Sequence, residues 1–307
     1  MSIAISVVIP LFEAEKYIER AITSLVQQTL APDEIIVVDN ASTDGAVDYI
    51  QQLRDPRVRV IRTSVNIGPN GARQMGIEAA HGYWVAFLDS DDWWERQRLE
   101  ALTQLGESRM ADIVFDNHWL IIDGDPKPWS TSFREGHFSP GHGQRLSFPH
   151  FYHSSVSLLH PIIRRDFFTQ THLEFPSALY YFGHFAFALE SLERGAKIVV
   201  TPKPFYFYRS RATSMTADWK QSEDRSTRAL DIIHSRMTTP KARALVDRGK
   251  GQALTGQHRR HLSRAIHNGQ WRLVGHSLST RPQDGLWLIM ETPRMIRRRI
   301  LKRRAKF

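Results

Sequence analysis

Cysteine is absent from the 307-residue sequence. Its absence excludes disulfide bonds, thiolate metal sites and a cysteine nucleophile, and it is compatible with a cytoplasmic protein. Long apolar runs are missing as well, because no stretch approaches the roughly 18 apolar residues that a membrane-spanning helix needs. The apolar run at the start has no basic leader and no small-residue cleavage site. We therefore interpret it as a buried strand rather than a signal peptide.

The composition is that of a folded protein with an excess of positive charge. Hydrophobic residues make up 41% and charged residues 24% of the chain, and the formal net charge is +9 at pH 7. The length suffices for one large α/β domain with an appendage. The charge favours anionic partners, a class that includes nucleic acid, phospholipid surfaces and phosphorylated substrates.

Strand and helix patterns alternate over residues 1–92 and become less regular afterwards. Apolar, β-branched runs predict strands over 3–9, 34–39, 58–62, 83–88, 112–115 and 197–200. Helical spacing of apolar residues predicts helices over 14–28, 44–53, 68–80 and 185–194. Because the strands are continuously apolar, we expect an α/β fold with a mostly parallel sheet that is covered on both faces.

Polar side chains follow three of these strands at the point where each strand ends. The strand ends read Pro10-Leu11-Phe12-Glu13, Asp39-Asn40-Ala41-Ser42 and Asp89-Ser90-Asp91-Asp92. Parallel α/β sheets bind ligands at the carboxyl ends of their strands. The sequence therefore predicts a ligand cleft that is lined by these three segments.

The acidic cluster, Asp89-Ser90-Asp91-Asp92, places three carboxylates within four residues after a buried strand. Like charges this close raise one another's pKa unless a cation relieves them. Oxygen ligands in a turn suit Mg²⁺ or Mn²⁺, and such an ion can offset the charge that develops on a diphosphate leaving group. The structural alternative is a solvated turn or a helix cap.

With these residues assembled, the chain resembles the family 2 glycosyltransferases of the GT-A fold, closely over about residues 3–92 and loosely over about 150–215. The matching motifs are Ser6-Val7-Val8-Ile9-Pro10 with Phe12, the run from Val37 to Gly45, Asn66-Ile67-Gly68 with Ala72-Arg73-Gln74, and Asp89-Ser90-Asp91. The resemblance implies a GT-A α/β sheet, a nucleotide-sugar donor with uridine as the expected nucleoside, and Mn²⁺ or Mg²⁺ as cofactor.

The resemblance also implies roles for individual residues. Phe12 would stack on the base, Asp39 would accept a hydrogen bond from it, and Arg73 would meet a phosphate or the ribose. Asp91 would be the direct metal ligand, with Asp89 close to the ribose and the metal. The residues placed against the donor or its metal are Pro10, Phe12, Glu13, Asp39, Asn66, Arg73, Asp89, Ser90, Asp91 and Arg209.

Each of these roles has a structural alternative, and two positions depart from the family pattern. Phe12 could belong to the core, Asp39 could cap the following turn, and Arg73 could be a surface residue of its helix. Asn40 and Glu13 stand where the family more often has Asp and Asn, near the expected base.

The expected general base is missing from its usual place. Inverting members need a carboxylate that takes the proton from the acceptor hydroxyl, and the family supplies it from an acidic pair at the start of a helix. Counting back from the Gly195-Ala196-Lys197-Ile198 turn, that pair falls on Gly183-His184. His184 is our candidate base, because an imidazole pKa near 6.5 suits the task. The alternatives are a base elsewhere, with Glu190 or Glu174 nearest in sequence, and donor binding without efficient transfer.

Two later segments extend the resemblance. The aromatic run 204–209 resembles a strand that the family often uses to close over the donor diphosphate, which makes Arg209 and Arg211 candidates for phosphate contact. The run from Leu159 to Arg165 resembles a segment that borders the acceptor side in polysaccharide-assembling members.

The chain ends in a basic segment, residues 294–306. Ile296, Ile300 and Leu301 can share one helical face that cations surround. This pattern is typical of an interfacial helix on an anionic membrane. RNA binding and a solvated, disordered tail are the alternatives.

We therefore predict a GT-A catalytic domain over 1–215, with a nucleotide-binding half (1–92) and an acceptor half (93–215), followed by a basic helical extension over 216–307. The predicted activity is inverting transfer from a UDP-sugar to a glycan or lipid-linked saccharide in cell-surface polysaccharide biosynthesis. We expect a cytoplasmic protein that is peripheral on the inner face of the membrane, without a nucleic-acid partner. A nucleotidyltransferase and a non-catalytic nucleotide-sugar-binding accessory protein are the alternatives.

Overall fold

The computed structural model describes residues 4–147, 160–179, 182–211 and 219–248, together with positions 272, 274 and 279. The chain divides into two compact units, Met1–Asp247 and Arg248–Phe307, and nearly all described residues lie in the first. The basic segment 294–306 lies outside the described residues. Within the described part of the chain, no helix is long and apolar enough to cross a membrane.

Ten strands and nine helices are found in the described residues up to position 248. The strands are β1 Ile5–Leu11, β2 Glu34–Asp39, β3 Val58–Arg62, β4 Trp84–Phe87, β5 Trp93–Trp94, β6 Ile113–Ile122, β7 Ser130–Thr131, β8 Gln144–Arg145, β9 Ile162–Arg164 and β10 Ile198–Ser210. The helices are α1 Glu15–Val26, α2 Ala46–Gln52, α3 Gly68–Glu78, α4 Arg98–Arg109, α5 Ser132–Glu135, α6 Arg165–Thr171, α7 Gly183–Glu193, α8 Trp219–Arg236 and α9 over 240–248.

All ten strands join one sheet, whose main path runs β3-β2-β1-β4-β9-β6-β10-β5. Strands β1 to β4 pair in parallel, and β6 pairs in parallel with β10. Strand β9 runs antiparallel to both of its neighbours, β4 and β6. The prediction of an α/β fold with a mostly parallel sheet is confirmed.

The central strands of the sheet are buried on both faces because they are largely apolar. One face packs against α1, α2 and α4, through residues such as Ile22, Ile50 and Leu102. The opposite face packs against α3, α6, α7 and α8, through residues such as Ile77 and Phe187. Each buried aliphatic or aromatic side chain stabilises the fold by about 1.5–3 kcal/mol relative to exposure.

Strand β6 extends beyond the predicted strand 112–115. The sequence did not predict the extension because polar residues follow position 115. Asp116, Asn117 and His118 interrupt the apolar pattern, yet all three are buried. Arg98 makes this possible from α4, a helix that the sequence did not predict. Its Nε and Nη2 atoms donate to the two Asp116 carboxylate oxygens at 3.1 and 2.8 Å.

Helix α3 lies close enough to β1 to carry its side chains to the edge of the sheet. A Cβ atom on Gly76 would lie 2.2 Å from Cγ1 of Val8, so only glycine permits this approach. The helix begins at Gly68, whose φ of 76° lets the chain turn sharply out of the preceding loop. This packing fixes where the polar residues of α3 emerge.

Candidate active site

The carboxyl ends of β1, β2 and β4 lie side by side, because these strands are parallel neighbours. Leu11 pairs with Asp39 where β1 and β2 end, and Val8 pairs with Phe87 where β4 ends. The three polar segments that were predicted to line a cleft therefore meet at one edge of the sheet. The acidic cluster leaves β4 at this edge.

Asp89 is held by a guanidinium and an imidazole. Arg73 Nη2 donates to Asp89 Oδ1 at 2.5 Å, and His160 Nε2 lies 3.1 Å from Asp89 Oδ2. Arg73 is buried and is positioned by Asn70, whose side-chain oxygen accepts from Nη1 at 3.0 Å. Burial by itself would raise the pKa of Asp89, but the charges of Arg73 and His160 hold that pKa well below its usual value. Arg73 therefore faces the cleft and not solvent.

Asp92 connects strand β10 to the acidic cluster through two hydrogen bonds. Its Oδ1 atom accepts from the backbone N–H of Arg209 at 2.7 Å, and its Oδ2 atom accepts from the Tyr206 hydroxyl at 2.9 Å. The same hydroxyl accepts from the backbone N–H of Asp89 at 3.1 Å. Burial, and then the charges of Asp91 and Asp89, raise the pKa of Asp92 well above its usual value. Asp92 is thus a buried clamp rather than a solvated or helix-capping residue.

Asp91 lies against the two arginines that the sequence assigned to the diphosphate. Arg211 Nη2 lies 2.7 Å from Asp91 Oδ2, and Arg209 Nε donates to the backbone oxygen of Asp91 at 2.7 Å. Arg209 also pairs with Asp123 at 2.8 Å. Burial raises the pKa of Asp91, and the charge of Arg211 opposes that rise. Both arginines therefore border the acidic cluster.

The Phe12 ring and the Glu13 carboxylate define the outer end of β1. Phe12 is 49% exposed, so it is available for stacking and does not belong to the core. Glu13 has a left-handed backbone with φ 48°, which Asn tolerates better than Glu. Its Oε1 atom accepts from both the N–H and the hydroxyl of Thr43 at 3.0 Å. Glu13 therefore braces the loop that follows β2.

Asp39 is buried at the end of β2, and the protein engages both of its carboxylate oxygens. Oδ1 accepts from the backbone N–H of Ser42 at 3.0 Å, and Oδ2 accepts from Arg62 Nε at 2.9 Å. The capping role that the sequence left open is therefore present. The Asp39 side chain is 0% exposed, and Arg62 is bound to one of its two carboxylate oxygens.

Three further donor-site candidates lie at the same edge. Asn66 accepts from the Asn40 side-chain amide at 2.8 Å, and Asn40 in turn accepts from the backbone N–H of Ile67 at 2.7 Å. These bonds tie the loop after β2 to the loop before α3. Pro10 is buried within β1, and Ser90 is buried beside the acidic carboxylates.

His184 is the second residue of α7 and lies inside the cleft. A Cβ atom on Gly183 would lie 2.1 Å from Oδ1 of Asn70, so glycine lets α7 approach α3. The His184 ring lies 4.7 Å from the His160 ring. Burial, and then the charge of Arg73, hold the pKa of His184 well below its usual value. His184 is therefore a neutral imidazole near neutral pH.

Of the other two base candidates, Glu190 has a structural partner away from this cluster, and Glu174 is exposed. Glu190 is buried and accepts from Arg236 Nε at 2.5 Å and from Nη2 at 3.0 Å. The backbone oxygen of Glu174 accepts from the same arginine at 3.2 Å. Glu190 therefore anchors α8 to α7.

Three buried imidazoles form one wall of the cleft. His160 stacks on Tyr206 with ring centres 4.3 Å apart, and His118 lies 5.3 Å from His160. His184 completes the group from α7. Sequence reasoning missed His118 and Tyr206, because nothing near them in the chain marks them as neighbours of the acidic cluster.

A possible cation-binding group exists among the described residues. One ligand atom each of Asp89, Asp92 and His160 lies within 4.8 Å of the others. The sequence predicted Asp89 with Asp91 instead. The clustered carboxylates and the raised pKa of Asp92 fit a hard divalent cation, which would relieve the crowding of like charges.

Comparison with protein families identifies one match to this architecture. The model of glycosyl transferase family 2 matches residues 6–195 of the chain. The match covers the strands and helices that carry every residue of the candidate site up to His184.

The chain matches only part of the length of its curated relatives. The succinoglycan biosynthesis protein ExoO of Rhizobium meliloti is 31% identical over 69% of this chain and 62% of its own length. The putative teichuronic acid biosynthesis glycosyltransferase TuaG of Bacillus subtilis is 38% identical over 40% of this chain and 50% of its own length. The chain therefore spans about half to three fifths of these relatives.

Solved structures share the fold at low identity. Residues 1–349 of S. aureus TarS, in complex with UDP-GlcNAc, match with a TM-score of 0.63 and 20% identity over 82% of this chain and 71% of that chain. The UDP complex of the same protein matches with a TM-score of 0.61 and 21% identity over 87% of this chain and 74% of that chain. The GT-A fold implied by the sequence is confirmed.

Removing the Tyr206 hydroxyl tests the clamp at Asp92. Tyr206→Phe leaves a buried carboxylate oxygen and the backbone N–H of Asp89 without their partner. We expect the free energy of unfolding in urea to fall by about 1–3 kcal/mol. Tyr83→Phe, at a side chain that is 38% exposed, is the control and should change stability by less than about 0.5 kcal/mol. Equal stability of Tyr206→Phe and wild type would contradict the clamp.

Proposed function

The chain belongs to glycosyl transferase family 2, and from this premise we propose that it moves a sugar, with inversion, from a UDP-sugar to a glycan or lipid-linked saccharide. The observation that carries the proposal is the convergence of Asp89 and Asp91 with Arg73 and His184 at the end of β4. TarS binds UDP and UDP-GlcNAc, which supports a uridine donor. ExoO and TuaG are named for polysaccharide biosynthesis, which supports that pathway class here.

On the donor side, we assign the base to Phe12 and Asp39 and the diphosphate to Arg73 and Arg209. Phe12 offers an exposed ring for stacking, and Arg73 offers a planar fork of donors beside the acidic cluster. Arg62 must swing off Asp39 for the base to bind there. As the bond between the sugar and the diphosphate breaks, Arg73 and Arg209 stabilise the negative charge that grows on the diphosphate.

We propose that Asp89 and Asp91 would hold a Mn²⁺ or Mg²⁺ ion. Such an ion, when bound, neutralises the diphosphate and makes it a better leaving group. Asp91 is favoured over Asp92 because both Asp92 oxygens already accept from Arg209 and Tyr206. The second candidate set is Asp89, Asp92 and His160.

On the acceptor side, we assign proton removal to His184. Its Nε2 atom has no hydrogen-bond partner among the described residues, so a lone pair is available. The acceptor oxygen forms a bond to the anomeric carbon while its proton passes to this nitrogen and the bond to the diphosphate breaks. The low pKa of His184 keeps the imidazole unprotonated before the reaction.

A non-catalytic nucleotide-sugar-binding protein is the second candidate function. It is favoured by the same low pKa, because an imidazole that resists protonation is a weak base. A nucleotidyltransferase is disfavoured by the family match. Release of UDP, measured across a panel of UDP-sugars with and without saccharide acceptors, distinguishes the glycosyltransferase from the non-catalytic binding protein. Tight UDP binding without any turnover would favour the binding protein.

The two cation sets are distinguished by metal binding. We expect Asp91→Asn to weaken Mn²⁺ binding in the presence of UDP at least tenfold, because it removes a direct ligand. Asp92→Asn and His160→Gln should each change it by less than about threefold. The affinities are measured by calorimetry with Mn²⁺ and UDP, and fold-changes of roughly 10–100 are typical of metal-site substitutions. The reverse pattern would move the cation to Asp89, Asp92 and His160.

His184→Ala tests the assigned base. We expect the transfer rate to fall about 100-fold or more, with the UDP affinity unchanged within about twofold. Because the His184 pKa is lowered, the wild-type rate should stay flat from about pH 7.5 to about 6.5 and decline only below that range. His81→Ala, at an imidazole that is 79% exposed, is the control. Full transfer activity in His184→Ala would show that the base is elsewhere.

We also propose that the basic segment 294–306 binds an anionic membrane surface; its cationic pattern and the net charge of +9 support this. The full chain should float with vesicles that contain phosphatidylglycerol and not with pure phosphatidylcholine. Replacing Arg297, Arg298 and Arg299 by Gln should weaken binding by about 1 kcal/mol per charge. The same triple change at Arg54, Arg57 and Arg59 is the control. Equal losses in both variants would contradict a specific role of the segment.

A further inference from the structure

Both aspartates that the proposed donor site offers to a cation are already paired with an arginine. Arg73 Nη2 lies 2.5 Å from Asp89 Oδ1, and Arg211 Nη2 lies 2.7 Å from Asp91 Oδ2. The two arginines come from distant parts of the sequence, one from α3 and one from just beyond β10. A cation that ligates these carboxylates must therefore compete with guanidinium groups.

Resting on the proposed function, we propose that Arg211 is an exchange partner that couples the binding of the nucleotide diphosphate to that of the divalent cation. Arg211 pairs with Asp91 until the diphosphate draws the guanidinium away. Asp91 is then released for the cation. The two ligands thereby promote each other's binding through one ion pair.

The contacts of Arg211 suit exchange better than those of Arg73. Arg73 is buried and is held by Asn70 as well as by Asp89. The Arg211 side chain is 26% exposed, and its ion pair is with Asp91. Its other neighbours hold it more weakly, since the guanidinium lies 5.0 Å from the Tyr17 ring centre and acts on Asp123 only through its charge. Its Nε atom lacks a hydrogen-bond partner in the same part of the chain. A phosphate group can engage Nε and Nη2 together in a bidentate contact, which is stronger than the single bond it replaces.

The charges around Asp91 explain why the two ligands should cooperate. A cation that binds while Arg211 stays in place is repelled by the guanidinium beside it. A diphosphate that binds alone leaves Asp91 without its counter-charge and close to Asp89. When both ligands are present, Arg211 and Asp91 each have an oppositely charged partner. Thermodynamic linkage requires that the cation raise the affinity for the diphosphate by the same factor by which the diphosphate raises the affinity for the cation.

Calorimetry on the full chain tests the exchange, with Mn²⁺ and UDP titrated separately and then together. We expect Arg211→Gln to bind Mn²⁺ alone about fivefold more tightly, because the competitor for Asp91 is gone. The same variant should bind UDP more weakly in the presence of Mn²⁺. The factor by which UDP tightens Mn²⁺ binding should fall at least about fivefold, at the low end of typical coupling factors.

Arg20→Gln is the matched control, because it removes an equal charge from the same neighbourhood. Arg20 is exposed, and its guanidinium lies 3.5 Å above the Trp93 ring, which Arg209 also approaches at 4.9 Å. Within the described part of the chain, the charged side chains that most shift the pKa of Asp91 are those of Arg211, Asp89 and Arg209, and Arg20 is not among them. The exchange therefore predicts a change in Mn²⁺ affinity of less than about twofold. An equal gain in Mn²⁺ affinity in both variants would show that the effect comes from the loss of one positive charge near the site. That result would overturn the proposal.

The remaining outcomes separate this inference from the proposed function. A wild-type chain that binds neither UDP nor Mn²⁺ contradicts the proposed function itself. A wild-type chain with strong coupling that persists unchanged in Arg211→Gln contradicts the exchange alone. If that variant does not fold, Arg211→Met replaces it, because methionine keeps an unbranched side chain without the charge. A coupling factor equal to that of wild type would then overturn the exchange.

Discussion

The crowding of negative charge at Asp89, Asp91 and Asp92 is the constraint on which the rest of the site depends. Two unit charges 4 Å apart near a protein surface interact by about 4 kcal/mol, so three carboxylates in one turn need compensation. The fold supplies a different partner to each. Asp89 has a guanidinium from α3, Asp91 has one from beyond β10, and Asp92 has a backbone N–H and a hydroxyl from β10 itself. Two distant stretches of chain, α3 and the end of β10, must therefore converge at the end of β4.

The irregular course of β10 follows from this requirement. Its pairing with β6 shifts register on both sides of Pro204, where the missing N–H also interrupts the ladder. Beyond the shift, the strand delivers the Tyr206 hydroxyl and the Arg209 N–H to the same carboxylate. Because a slip of one residue turns every following side chain to the other face of a sheet, the bulge is what allows both contacts from one strand.

The first half of the fold was predictable because its signals are local. Strands β1 to β4 are short apolar runs between turns, and the structure has each of them within a few residues of its predicted place. The motif residues of the acidic cluster were predictable for the same reason. Their partners were not. From the sequence alone, Asp116 indicates a break in β6, because the pairing with Arg98 that neutralises it is not visible there. Asp92 likewise indicates a helix cap, because its hydrogen bond with Tyr206 is not visible in the sequence. Burial of a polar residue depends on a partner far along the chain, and no local pattern carries that information.

The acceptor side of the cleft is built on a different principle, since it uses the imidazole of His184, whose pKa is lowered by burial, where the donor side uses ion pairs. A carboxylate at position 184 would add a negative charge close to Asp89, and Arg73 would then be shared between two acids. The neutral imidazole of His184 leaves Arg73 to Asp89. In the proposed reaction this arrangement also governs timing. Burial and the charge of Arg73 suppress protonation of His184, and the departing diphosphate compensates that charge. In that reaction the imidazole would become a stronger base as the donor bond breaks, which would tie proton removal to the displacement.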